Sequence, residues 1–332
     1  MKIFKLIILI SILISSNNYA QNITFNNPIA EQRADPWVYK TNDNTYYLIA
    51  TVPEYDKIVL RKANTINGLK TAEEKTIWHK HKTGVMGHHI WAPELHKIDG
   101  IWYIYFAAGE AENVWNIRMW VLSNTSENPM EGTWKEEGKI VTKRDSFSLD
   151  ATTFEHNGKR YLIWAQNVSD NKQGTALVLS EMKNPTTLIG PEVVLTEPDF
   201  SWEKVKYNVN EGPAVIKKNG KIFVTYSASA TNHNYCIGLL SINEDDNLLE
   251  ASNWYKAPSP VFYTNDEFKR YGPGHSSFTT SEDGKTTILI YHARDYKEII
   301  GNELSDPNRA TRARVVNWTE SGFPDFNQNK GD

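Results

Sequence analysis

Five polar residues recur just ahead of short apolar runs. They are Asp35 in Ala-Asp-Pro-Trp, Glu94 in Trp-Ala-Pro-Glu-Leu, Asp150 in Ser-Leu-Asp-Ala-Thr, Glu211 in Asn-Glu-Gly-Pro-Ala and His275 in Gly-Pro-Gly-His-Ser. Successive members stand 59, 56, 61 and 64 residues apart. Taken singly, Asp-Pro and Glu-Gly are turn dipeptides without chemical meaning. Carboxylates recurring at one phase of a repeat ask for another account. Two carboxyls set across a sugar can hydrolyse a glycoside. One is protonated and donates to the leaving oxygen; the other is ionised and activates water or attacks the anomeric carbon. A third nearby raises the acid's pKa by like-charge repulsion and orients it.

Such a cluster needs a scaffold that brings distant segments together. Five Asn/Asp-containing turns recur: Asp43-Asn44, Asp99-Gly100, Asn157-Gly158, Asn219-Gly220 and Asp283-Gly284. Their second residues are 56, 58, 62 and 64 apart, and each precedes an aromatic, β-rich run such as Trp102-Tyr103-Ile104-Tyr105-Phe106. Asn-Gly and Asp-Gly between such runs signal two-residue hairpins, because type I′ turns need positive φ at both central residues. Units of about 60 residues hold a four-stranded blade with long loops, and blades arranged radially form a β-propeller. The expected fold is all-β, a single five-bladed β-propeller over residues 21–332. The first strand of each blade lines the axis, so equivalent positions face one another at one funnel mouth.

The chain has 332 residues, 36 Lys+Arg against 40 Asp+Glu, and a net charge of −4. That balance gives no electrostatic footprint for nucleic acid or an anionic membrane. One cysteine, Cys236, excludes an intrachain disulfide and a Cys-built zinc site; its apolar setting reads as buried and inert. No Gly-x-Ser-x-Gly and no phosphate-binding Gly-x-x-x-x-Gly-Lys occurs. Residues 1–20 join a basic start, an apolar run from Ile7 to Ile14 and a small residue at Ala20. They read as a secretory signal peptide, which predicts a secreted or periplasmic protein with no membrane association after cleavage.

The motifs together resemble glycoside hydrolase family 43, five-bladed propellers acting on arabinans and xylans. Asn27-Pro28-Ile29 and Ala34-Asp35-Pro36-Trp37 are similar to the family's opening motif, which implies Asp35 as general base. The resemblance implies Glu211 as general acid and Asp150 as the residue that modulates its pKa and orients it. His275 resembles the axial histidine near a central water or calcium ion. A structural Ca²⁺ beside His275 is thus carried by the resemblance alone, and no cofactor is required for the chemistry. Trp91-Ala92-Pro93-Glu94-Leu95-His96, Tyr291-His292-Ala293-Arg294-Asp295-Tyr296 and Asp306-Pro307-Asn308-Arg309 resemble the arabinan-active branch, specifically exo-α-1,5-L-arabinofuranosidases. An inverting enzyme releasing terminal L-arabinofuranose from arabinan or its oligosaccharides is expected. An endo-arabinanase, a β-xylosidase and a non-catalytic sugar-binding propeller are the alternatives. Trp37, Trp91, Glu94, His275 and Arg294 are the candidate sugar contacts. For the two tryptophans a core position, and for Arg294 a structural ion pair, is the competing reading.

Overall fold

A computed structural model of the chain describes residues 23–170 and 173–331. The signal-peptide reading of residues 1–20 lies outside them. The described chain is nearly all β-sheet, with three short 3₁₀ turns. Its strands form five antiparallel blades, in sequence order from the axis outward, and one separate two-stranded ribbon of Asn317–Trp318 and Pro324–Asp325.

Blade I comprises Ala34–Lys40, Tyr46–Thr51, Lys57–Ala63 and Glu74–His79. Blade II comprises His88–Ile98, Ile101–Gly109, Arg118–Asn124 and Lys135–Lys139. Blade III has Ser148–His156, Lys159–Gln166 and Ala176–Asn184, with Thr187–Leu188 and Val193–Thr196 both pairing with the third strand. Blade IV runs Asn210–Lys218, Lys221–Ala228, Cys236–Asn243 and Tyr255–Lys256. Blade V has Tyr271–Thr280, Thr287–Arg294 and Ala310–Val315. Its outer edge is met by the start of the described chain, where Ile29 N–H donates to Thr311 O and Thr311 N–H donates to Ala30 O, each at 2.8 Å. That pairing joins the two ends of the ring.

A blade is covered on both faces by its neighbours, so its middle strands are apolar on both faces instead of alternating. Tyr46–Thr51 is buried at every position. Separate apolar clusters fill the gaps between blades. Ile49 and Leu60 meet Ile104 and Phe106 between I and II. Trp164 and Val178 meet Tyr105 and Val121 between II and III. Ile163 and Leu179 meet Val224 and Tyr226 between III and IV.

Three of the five turns are two-residue hairpins as expected, with φ of 50° and 84° at Asp99-Gly100, 49° and 72° at Asn157-Gly158, and 55° and 72° at Asn219-Gly220. The other two are longer. In blade I the strands end at Lys40 and resume at Tyr46, and in blade V they end at Thr280 and resume at Thr287. There only the second residue of the pair, Asn44 or Gly284, has positive φ, while the Asp43 and Asp283 carboxylates accept from Thr41 and Ser281.

Each inner strand is also interrupted by a register shift near its axial start. In each, a residue takes positive φ near that start, namely Asp35 (51°), Ala92 (44°), Asp150 (55°), Gly212 (54°) and His275 (44°); blades II and V carry a second shift and a second such residue, His89 (51°) and Gly272 (59°). Bulges of this kind re-aim side chains at functional edges. They also correct the expected phase. Asp35, Asp150 and His275 are equivalent, whereas Glu211 stands one residue before its bulge position and Glu94 two residues after.

The gap between blades III and IV has no slack at Gly238. A Cβ there would lie 2.3 Å from the Tyr226 ring. Gly238→Ala should therefore lower stability by about 1–3 kcal/mol through overpacking. The check is the midpoint of urea unfolding; an unchanged midpoint would show that the gap yields.

Candidate active site

A cavity of about 670 Å³ opens at the end of the propeller where the inner strands begin. Its wall takes residues from every blade, including Asp35, Trp91, Asp150, Glu211, His275 and Arg309. The bulges explain the convergence. They turn side chains at or beside them out of the ladder towards the axis, so three carboxyls and an imidazole from four blades meet.

Asp35 is the most heavily held. Its backbone N–H donates to His292 Nδ1 at 3.0 Å. Its Oδ1 accepts from Arg309 Nη1 at 3.2 Å and lies 3.3 Å from His275 Nδ1. Burial alone would raise its pKa. The Arg309 charge, His275, His292 and a Thr51 hydroxyl outweigh that and hold the carboxyl well below the usual range. Burial likewise keeps His275 and His292 below their usual pKa, so both imidazoles are neutral near pH 7. Because His292 Nδ1 accepts a hydrogen bond, its proton is on Nε2.

Asp150 and Glu211 behave in the opposite sense. Burial, followed by the charges of Glu211 and Asp35, pushes Asp150 well above the usual carboxylate range. Burial, together with Asp35, raises Glu211 to about 7 against the opposing effect of a Tyr235 hydrogen bond. The two titrate as a pair that holds a proton between them near neutral pH, while Asp35 is ionised. Asp150 Oδ2 accepts from Gly212 N–H at 2.9 Å, a bond that favours charge on Asp150. Tyr235 O–H donates to Glu211 Oε1 at 2.7 Å. One ionised carboxylate and one protonated carboxyl in a single cavity are the two functions that acid–base glycoside cleavage requires.

Other expected contacts fall differently. Trp91 lines the cavity, and its buried indole N–H has no partner among the described residues. Trp37 is not on the wall. Its N–H donates to Leu95 O at 2.8 Å and its ring packs on His96 in the gap between blades I and II. Glu94 is buried away from the cavity, 2.9 Å from His96 Nε2, because it follows its bulge by two residues. Arg294 is a structural cation. It donates to Asp306 at 2.9 Å, Thr231 O at 2.7 Å and Glu303 O at 3.1 Å, and is 2 % exposed. His275 does not fit a protein-built calcium site. Its Nδ1 faces Asp35 and Asp150, the Arg309 guanidinium competes for the same carboxylate, and no group of three or more His, Cys, Asp or Glu is placed around an ion among the described residues.

Arg309 takes the place expected for Arg294. It stands in Asp306-Pro307-Asn308-Arg309, where its residue type invites a salt bridge but nothing local names the partner 274 positions away. Tyr235, His292 and the half-exposed Trp115 on the cavity wall were equally silent. Cys236 is buried with its thiol pushed up to about 12 by burial and Glu203, which leaves it inert.

The sequence profile described as "Glycosyl hydrolases family 43" matches residues 25–324. The chain belongs to this family. An extracellular exo-α-(1→5)-L-arabinofuranosidase of Streptomyces avermitilis is 55% identical over 305 residues, 92% of this chain and 63% of that protein. One of the same description from Streptomyces chartreusis is 54% identical, covering 84% of this chain and 85% of the other. The chain thus spans less than two thirds of the first relative's length and most of the second's. Among solved structures, an α-L-arabinofuranosidase from Lactobacillus brevis superposes with a TM-score of 0.89 at 44% identity, covering 92% of this chain and 97% of the other. The family 43 member thus has a propeller like that of a solved relative, with the wall residues above at its mouth.

The low pKa of Asp35 depends on Arg309. Arg309→Met should move the acidic limb of kcat/KM upward by about 1–3 pH units, because Asp35 then protonates at higher pH. An acidic limb that stays in place would remove Arg309 from the electrostatics of the site.

Proposed function

We propose that the protein is a secreted, inverting α-L-arabinofuranosidase. It releases terminal L-arabinofuranose from α-1,5-linked arabinan and arabino-oligosaccharides. The observation that carries the chemistry is the opposed titration of two carboxyls in one cavity: Asp35 is held ionised and Glu211 holds a proton near neutrality. The names of the two Streptomyces relatives supply the sugar and the exo action. They also support export, as does the signal-like start of the chain. No helix among the described residues is long and apolar enough to cross a membrane.

In this reading Asp35 takes a proton from a water on one face of the furanose ring. The water oxygen bonds to the anomeric carbon as the bond from that carbon to the leaving O5 breaks. Its electron pair goes to O5, which takes the proton of Glu211. Arg309 and His275 hold Asp35 Oδ1, and Asp150 holds Glu211 protonated until the bond breaks. Inversion requires room for the water, about 6.5–9.5 Å between the two carboxyls.

Exo action needs a pocket instead of an open groove. Loops from several blades bound the cavity, and two ties brace its rim. Lys206, on the wall, bonds both carboxylate oxygens of Glu303 at 2.7 Å, joining the approach to blade IV with the long loop of blade V. The Tyr55 hydroxyl donates to Leu304 O from blade I.

Time-resolved proton NMR of α-1,5-arabino-oligosaccharides should show arabinose, first as the β-anomer, with the remaining oligomer shortened one unit at a time. The α-anomer appearing first would overturn inversion, and oligomers from internal cleavage ahead of free arabinose would overturn exo action. Glu211→Gln should lose about 10²–10⁴-fold in kcat on these substrates while still binding them. Asp150→Asn should move the basic limb of the pH–rate profile downward, since the charge that keeps Glu211 protonated is gone. If both limbs match wild type, Asp150 is not the modulator.

A further inference from the structure

We propose that Tyr235 is a positioning residue that decides which oxygen of Glu211 carries the transferable proton; this rests on the acid role of Glu211 proposed above. Tyr235 closes the loop that follows the second strand of blade IV and is 1 % exposed. Its hydroxyl meets Glu211 Oε1 at 2.7 Å. Burial, followed by the charges of Glu211, Asp150 and Asp35, pushes the phenol well above its usual range, so it keeps its proton. That proton needs an acceptor, and Oε1 is the one within reach. With Oε1 accepting, the proton of the carboxylic acid belongs on Oε2. When the glycosidic bond breaks, its electron pair passes to the leaving oxygen, and that oxygen takes the proton from Oε2. Glu211 is left as a carboxylate with Oε1 still hydrogen-bonded.

The phenol is held in place from three sides. Its ring lies parallel to His292, 3° between planes and 5.6 Å between centroids. Its backbone N–H donates to Asn232 O at 3.1 Å. Gly274 leaves the space the ring occupies, since a Cβ there would stand 2.2 Å from it. The same His292 receives the backbone N–H of Asp35 at 3.0 Å. One aromatic stack therefore relates the acid's carboxyl to the backbone of the base, fixing the distance and direction between the two groups that act on opposite faces of the sugar. The ionisable groups that act on Glu211 are Asp35, Asp150, Arg309 and Tyr235. Of these, Tyr235 donates a hydrogen bond to it. Its removal leaves Arg309 to oppose burial and like charge, and the proton is held more tightly but on either oxygen.

Tyr235→Phe keeps the ring and the stack and removes the hydroxyl. On an arabino-oligosaccharide, whose leaving alcohol needs the proton, kcat should fall about 10- to 100-fold. On a 4-nitrophenyl arabinofuranoside, whose phenolate leaves unaided, kcat should change far less; on the oligosaccharide the basic limb should move to higher pH. Equal losses on both substrates with the limb unmoved would mean that the hydroxyl only packs, and would overturn the proposal. A carbon-13 titration of the Glu211 carboxyl in substrate-free wild type and Tyr235→Phe needs no turnover. An upward move in the variant supports the proposal and coincident curves overturn it. If wild type cleaves no arabinoside, the substrate reading falls and this titration still decides the role of Tyr235. Placing 3-fluorotyrosine at position 235, a stronger donor of the same shape, should move the basic limb the other way.

Discussion

One buried cation sets the terms for every acid at the axis. Arg309 lies among the carboxyls of Asp35, Asp150 and Glu211, with Glu94 buried beyond them. A carboxylate withdrawn from water is costly unless something replaces its hydration. A single guanidinium can compensate a single carboxylate, and its contact is with Asp35. The remaining acids are driven upward by burial and by one another. The split between one ionised carboxylate and its proton-holding neighbours thus follows from a charge count, without tuning each residue separately. His275 and His292, held below their usual pKa by burial, leave Arg309 as the charge paired with Asp35 near pH 7.

The ring of bulges is the geometric counterpart of that charge count. A regular strand alternates its side chains between two faces, and in a blade both faces are buried against neighbours. No residue of a regular inner strand would point along the axis into the mouth. A positive-φ residue breaks the alternation, at a cost that non-glycine residues bear reluctantly. Four of the five positions carry side chains nonetheless: Asp35, Ala92, Asp150 and His275. At the fifth, Gly212 is required for space as well, since a Cβ there would come within 3.1 Å of the His275 ring. Its amide is thereby free to reach Asp150, and Glu211, one residue earlier, is aimed at the cavity from a different angle. The acid's departure from the repeat phase is what separates it from the equivalent pair Asp35 and Asp150.

The repeat, the blade count and the three central carboxyls were legible because each leaves a local mark. Turn residues mark hairpins, and a carboxyl beside proline or glycine marks the irregular start of an inner strand. What was illegible is pairing across the ring. The sequence singles out Arg294 and leaves Arg309 as one residue of the next motif, and only the path of the long blade V loop reverses that order. That loop returns its own Asp306 and the Glu303 carbonyl to Arg294 and delivers Arg309 to the axis. Trp37 and Trp91 were indistinguishable. A shift of three residues relative to the bulge places the first in an inter-blade gap and the second on the wall. Side-chain direction near a bulge changes residue by residue, so a reading accurate to two positions finds the strand but not its face.

The same reasoning bears on why a propeller suits a two-carboxyl reaction. Acid and base must be held apart by a fixed gap, yet each must feel the other's charge. Strands of one sheet would place them on one surface, side by side. Here Asp35 and Glu211 arise from blades I and IV, separated by 176 residues of chain but joined through a short rigid path. That path runs from the Asp35 amide to His292, across a ring stack to Tyr235, and on to Glu211. Every link in it is buried and neutral. It can therefore fix the gap between the two carboxyls without supplying a charge that would upset the balance set by Arg309.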